Sequence, residues 1–128
     1  MNPTMILAVA IGGALGSTAR YLTNIGAGKF LGTDFPYGTM IVNIIGSFII
    51  GYWMESMALR WNVGMELRAF LIVGILGGFT TFSAFSLDAI LLLQRGQTTP
   101  AVIYICASVL LSLLATILGI ICVRGLPA

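Results

Sequence analysis

The sequence has no histidine and only 4 acidic side chains among its 128 residues. A catalytic triad, an acid–base pair or a side-chain metal centre needs such groups clustered. Asp34, Glu55, Glu66 and Asp88 are scattered instead. Charge of either sign is scarce, at 8% of residues, where a soluble domain carries about a quarter. So few charged groups cannot coat a water-facing surface, which excludes a soluble globular enzyme and a disordered tail. The net charge of +2 is small and dispersed, so nucleic-acid binding has no electrostatic basis. Cysteine is nearly absent. Cys106 and Cys122 fall in one apolar run, about 24 Å apart along a helix axis. They cannot bridge within one chain, and a disulfide scaffold is excluded.

Apolar side chains are what the sequence does have: 59% of residues are hydrophobic and the mean hydropathy is +1.06. A membrane helix needs about 20 mainly apolar residues. The charge-poor runs predict four of them, at about 4–26, 36–59, 66–94 and 99–124. Residues 1–128 then form a single four-helix transmembrane domain, with membrane lipid as its surroundings. The N-terminus carries no Lys or Arg ahead of its apolar stretch and no convincing A-x-A site before Arg20, so it reads as a retained first helix. Gly26, Gly28, Gly32 and Pro36 punctuate the first connection, 61–64 the second, and Gly96 with Pro100 the third. Tyr37, Trp53 and Trp61 sit near span ends, where amphipathic aromatics anchor.

Excess Lys and Arg usually mark the cytoplasmic side. With four spans, Arg60, Arg68 and Arg124 share one side, and Arg20, Lys29 and Arg95 share the other. Three against three selects neither orientation. Such a chain is able to insert both ways and to pair with its own inverted copy. Four helices are also few for a transport pathway, and self-association doubles them.

Polar residues inside the spans carry the functional signal. The third span reads Gly77-Gly78-Phe79-Thr80-Thr81-Phe82-Ser83-Ala84-Phe85-Ser86. Paired glycines and paired threonines are poor helix formers, and a break there frees carbonyls and amides at the bilayer centre. Freed carbonyls suit cations; freed amides and helix N-termini suit anions. Close helix packing through small residues is the alternative. Phe82 and Phe85 share a helical face, and ring edges are weakly positive, so a small anion can meet them without a fixed charge. Ordinary packing explains the same pair. Asn43 is a lone amide mid-span, either glue between helices or part of a polar path. Ser108, Ser112 and Thr116 recur every four residues, with Tyr104 one turn earlier on the same face. They form a hydrogen-bonding track or bond back to their own helix. No acid or base lies near a bilayer midplane, which argues against a proton-coupled transporter or a cation pump.

Together these residues resemble the Fluc (CrcB) family of fluoride channels along essentially the whole chain. Residues 77–86 look like that family's G-G-x-T-T-F-S-T-F-S signature. Gly12-Gly13-Ala14-Leu15-Gly16 with Arg20, Gly38-Thr39 with Val42-Asn43, and Ser108 with Ser112 and Thr116 match further family positions. The resemblance implies an all-α membrane protein whose third helix is broken. Two copies are expected to pair as an antiparallel, dual-topology homodimer in the bacterial inner membrane. It implies passive, selective fluoride export through two pores per dimer. By resemblance Phe82 and Phe85 present ring edges to fluoride and Asn43 donates its amide. Ser108, Ser112 and Thr116 form the track, with Thr39 and Tyr104 near it. Arg20 corresponds to an arginine near the pore vestibule. A structural sodium ion is expected at the dimer interface, held by the backbone carbonyls of Gly77 and Thr80 from both subunits. Ala84 departs from the family's threonine and removes a hydroxyl beside the pore motif, and Asp88 stands where glutamate is frequent.

Two other functions fit a chain of this size. A small multidrug-type exporter needs a membrane-embedded glutamate in the first helix, and none is present. A non-transporting membrane subunit would use the polar stripes only as helix glue, and nothing in the composition excludes it.

Overall fold

The computed structural model describes residues 2–125; residue 1 and residues 126–128 of the expected domain lie outside the described residues. The described residues form helices and no strand. Helix α1 spans Pro3–Leu31 and α2 spans Tyr37–Leu59. The third span starts with a short α3, Met65–Arg68, and widens into a π-helical segment, Ala69–Leu76. It closes again as α4, Gly77–Phe79, and resumes after two residues as α5, Phe82–Gln94. Helix α6 is Thr98–Arg124. Four stretches of 29, 23, 30 and 27 residues are long and apolar enough to cross a bilayer.

Local chemistry sets most of these ends. Asn2 caps α1 by accepting from the Thr4 amide at 3.0 Å, with Pro3 following it where its missing N–H costs nothing. The sequence reading ends this helix near residue 26. The structure carries it to Leu31. A helical glycine costs only about 1 kcal/mol relative to alanine, and in lipid an unpaired backbone costs more, so Gly26 and Gly28 stay helical. The chain turns at Gly32, whose φ of 86° belongs to the left-handed half of backbone space. Gly96, with φ 77°, closes α5 in the same manner. Its amide bonds Leu93 O at 3.0 Å and the Gln97 amide bonds Leu92 O at 2.9 Å, a Schellman closure that lets α6 fold back.

Glycines then decide which helices touch. On α1, a Cβ at Gly12 would lie 2.9 Å from Gly74 Cα, and one at Gly16 would collide with the Ile75 carbonyl oxygen. A Cβ at Gly78 would lie 2.7 Å from Gly13 O. Helix α1 thus lies backbone to backbone on the first half of the third span, the small-residue packing that membrane helices use. The second half packs elsewhere. Ala89 and Leu92 of α5 meet Ala101 and Tyr104 of α6 in a buried cluster that Phe35, Met40 and Phe85 flank. So the third span changes partner at Thr80–Thr81, from α1 to α6. Helix α2 lies along α6, where Gly51 and Gly119 take the close contacts, and it crosses the junction at Gly46, against Thr80. A salt bridge from Arg124 to Glu55 ties the ends of α6 and α2. Large apolar side chains such as Leu7, Ile11, Leu15, Leu110 and Leu113 point outward, as lipid contact or association requires.

Gly16→Ala tests this packing. The added methyl meets the Ile75 backbone, which cannot swing aside, and overpacking of this kind costs about 1–3 kcal/mol. A Cβ at Gly26 meets nothing within 4 Å. Gly26→Ala is expected to leave the melting temperature in detergent unchanged or slightly raised, and Gly16→Ala to lower it. Equal melting of both variants would contradict the close approach.

Candidate functional site

The two residues between α4 and α5 are extended: Thr80 has φ −88° and ψ 158°, Thr81 φ −155° and ψ 118°. They sit mid-span, where a helix would satisfy every backbone group. Each group they release therefore needs another partner. The Thr80 amide still reaches Leu76 O at 3.0 Å, and its hydroxyl bonds the same oxygen at 2.8 Å. Thr81 is served from outside. Asn43 Oδ1 accepts from the Thr81 amide at 2.8 Å, and Asn43 Nδ2 donates to Thr81 O at 3.0 Å. One side-chain amide from α2 thus pairs with both backbone groups of one residue. From the other side, Arg20 Nε donates to Gly78 O at 2.9 Å. The carbonyls of Gly77 and Thr80 take no hydrogen bond across the junction among the described residues.

Thr81 also caps α5, its hydroxyl accepting from the Ala84 amide at 3.1 Å. The N-terminal end of a 13-residue helix, with its partial positive charge, therefore starts inside the membrane span. Next to it lies a groove of about 360 Å³. Asn43, Gly77, Thr80, Phe82, Phe85, Ser108 and Ser112 all line it, and no charged side chain does. The Phe82 and Phe85 rings are 5.6 Å apart, tilted by 44°. Phe82 is 78% exposed, so one wall of the groove is open on the single chain. Ser108 is buried, and its hydroxyl has no hydrogen-bond partner among the described residues. Asn43 Nδ2 spends one N–H on Thr81 and has a second. The groove wall thus carries an amide and serine side chains, two phenylalanine rings and a helix N-terminus, with no fixed charge.

The remaining candidates stand around it. Thr116 is not part of the groove wall; its hydroxyl donates to Ser47 O at 3.0 Å and Ser112 O at 3.1 Å, tying α6 to α2. Thr39 is buried beside a second cavity of about 530 Å³, which Asn24, Asp88 and Arg95 also line. Tyr104 is fully buried between the two cavities. Its ring lies 5.3 Å from Phe85 and 5.5 Å from Phe35, and its hydroxyl donates to Asp88 Oδ2 at 3.2 Å. Ala84 lines the second cavity rather than the groove. Arg20 lines neither and is held on the Gly78 carbonyl. The sequence reading misses Thr81 as an individual residue. The signal was present: a threonine immediately before the apolar helical run that begins at Phe82 is an N-cap pattern. It also misses Ser47 and Gly46 on the groove wall, which carry no pattern of their own.

Comparison with known proteins follows the same span of chain. The sequence model of the family described as "CrcB-like protein, Camphor Resistance (CrcB)" matches residues 7–120. A protein of Nitrobacter hamburgensis named fluoride-specific ion channel FluC 1 is 55% identical over 126 residues, 98% of this chain and 100% of that one. A fluoride-specific ion channel FluC of Nitrobacter winogradskyi is 53% identical over 124 residues, covering 97% and 98% of the two chains. Another, from Rhodospirillum centenum, is 53% identical over 120 residues, covering 94% and 95%. The family match and the relatives cover the glycine contacts, the Thr80–Thr81 junction and the groove alike, and this chain belongs to the CrcB-like family.

Proposed function

We propose that this chain is a fluoride-selective channel that lets fluoride leave a bacterial cell passively across the inner membrane. The observation that carries the reading is the name shared by relatives more than half identical along nearly the whole chain, fluoride-specific ion channel. The groove gives it a physical basis. Fluoride is small and strongly hydrated, so a pore has to replace many water hydrogen bonds. The second Asn43 N–H and the Ser108 and Ser112 hydroxyls are donors for that purpose, and the edges of Phe82 and Phe85 add weaker attraction. Conduction needs binding that is favourable yet weak enough to release, and a groove without a lysine or arginine meets that need.

The working unit in this reading is a homodimer of two inverted copies, each of its two pores drawing side chains from both. The open wall at Phe82 and the balanced basic residues support it. The interruption at Thr80–Thr81 is then the break that pairs with its counterpart across the dimer axis. Thr39, Tyr104 and Thr116 extend the path at its ends, and Arg20 borders its approach. The carbonyls of Gly77 and Thr80 fit a sodium ion: they are neutral oxygen ligands released by unwound backbone, the donor type that such ions take in membrane proteins. When bound, sodium supplies positive potential at the interface and joins the two interruptions.

Efflux from liposomes holding only the purified protein tests the channel. Fluoride is expected to leave quickly and chloride slowly. Phe82→Ile and Asn43→Asp should slow fluoride, the second by setting a carboxylate against the Thr81 carbonyl and the anion. Ser108→Ala removes one donor to an ion and should slow it about ten-fold. No fluoride loss from a folded dimer would leave a non-transporting membrane subunit as the function. The inverted pair has its own test. With Cys106 and Cys122 replaced by alanine, Lys29→Cys should be labelled by an impermeant thiol reagent from both faces of the membrane. Labelling from one face alone excludes dual topology. Sodium is checked by melting the dimer in sodium and in N-methylglucamine salts: a higher melting temperature in sodium is expected, and equal temperatures remove the ion from the account.

A further inference from the structure

Arg20 is a half-buried charge inside a membrane span, and no carboxylate pairs with it among the described residues. Intramembrane arginines of this kind are held by backbone carbonyls or mark a path. Here the carbonyl is identified. Gly13, Ser17 and Arg20 lie on one face of α1, and that face rests on Gly78: a Cβ there would lie 2.7 Å from Gly13 O and 3.0 Å from Ser17 N. The approach brings Arg20 Nε to 2.9 Å from Gly78 O. In an uninterrupted helix that oxygen would accept from the Phe82 amide, four residues on. The junction takes this partner away, and a side chain of α1 replaces it. Only an arginine donates sideways from Nε while keeping its four Nη hydrogens for water or a passing anion.

We infer that Arg20 is a positioning residue for the interrupted third span. It holds the Gly78 carbonyl from the α1 side while Asn43 holds Thr81 from the α2 side. The two grips together fix the extended link, and with it the start of α5 on the groove wall. They also occupy Gly78 O and Thr81 O, while the carbonyls of Gly77, Phe79 and Thr80 take no hydrogen bond across the junction among the described residues. Arg20 and Asn43 thereby withdraw two of the released backbone oxygens from any ion at the junction. Steering anions by charge alone is a different role, and it predicts different variants.

Hydrogen exchange on the dimer in lipid nanodiscs separates the two. Arg20→Lys keeps the charge and loses the Nε donor; Arg20→Gln loses both. Positioning predicts that either substitution speeds exchange of the Thr80 and Thr81 amides about ten-fold, the amount set by one hydrogen bond to a charged group. Amides of α6 should be unaffected. Fluoride efflux should fall equally in both variants, at low and at high ionic strength. This flux arm rests on the channel reading and the exchange arm does not, so a failure of either is distinguishable. Unchanged exchange at the link overturns the inference. So does a lysine variant with full flux beside a glutamine variant that fails only at low salt. Should neither variant fold, the native chain still answers. Gly78 is the only glycine followed by phenylalanine, so carbonyl-labelled glycine with amide-labelled phenylalanine selects its carbonyl in solid-state NMR. Dephasing of that carbon by arginine Nε nitrogen is expected, and its absence overturns the inference.

Discussion

Hydrocarbon offers a peptide group nothing to bond with, so backbone released at Thr80 and Thr81 has to find partners inside the protein. That constraint organises the molecule around its third span. Asn43 pairs with both backbone groups of Thr81, Thr80 bonds back to Leu76, and Arg20 reaches Gly78. Asn43 and Arg20 each come with a cost of their own, an amide and a charge inside the membrane. Each is tolerable because it meets the released group at hydrogen-bonding distance. An interruption and two half-buried polar side chains, unfavourable separately, stabilise one another.

Close packing is what makes the distances possible. Arg20 reaches Gly78 because Gly12, Gly13 and Gly16 let α1 lie on the backbone of the third span. Asn43 reaches Thr81 because Gly46 leaves room for Thr80 against α2. Glycines that look like weak points in a helix are here the condition for tertiary hydrogen bonds. The wide π-helical turns of Ala69–Leu76 lie on this contact, with Gly74 against Gly12.

The groove follows from the same interruption. Starting α5 mid-span puts a helix N-terminus, two phenylalanine rings and Ser108 around one space without a charged side chain. Positive charge is close at hand in Arg20, yet it is bound to a carbonyl and absent from the groove wall. In the proposed channel this separation of charge from the groove suits passage, because a lysine or arginine there would hold the ion.

Composition and periodicity alone determine that the chain is helical and membrane-bound, because hydrocarbon accepts only long apolar segments with paired backbone. The mid-span glycines and threonines of residues 77–81, and the repeat of Ser108 with Ser112, are legible for the same reason: polar or flexible residues are conspicuous against an apolar background. Other features are invisible in one dimension. Asn43 and Thr81 are far apart in sequence, as are Arg20 and Gly78, and only packing joins them. Sequence spacing groups Thr116 with the two serines, but the structure turns its hydroxyl to the α2 backbone. It reads Gly26 and Gly28 as a turn, but the backbone stays helical there. Local pattern fixes what a residue is able to do in lipid; which oxygen it finds is decided by the close approach of helices.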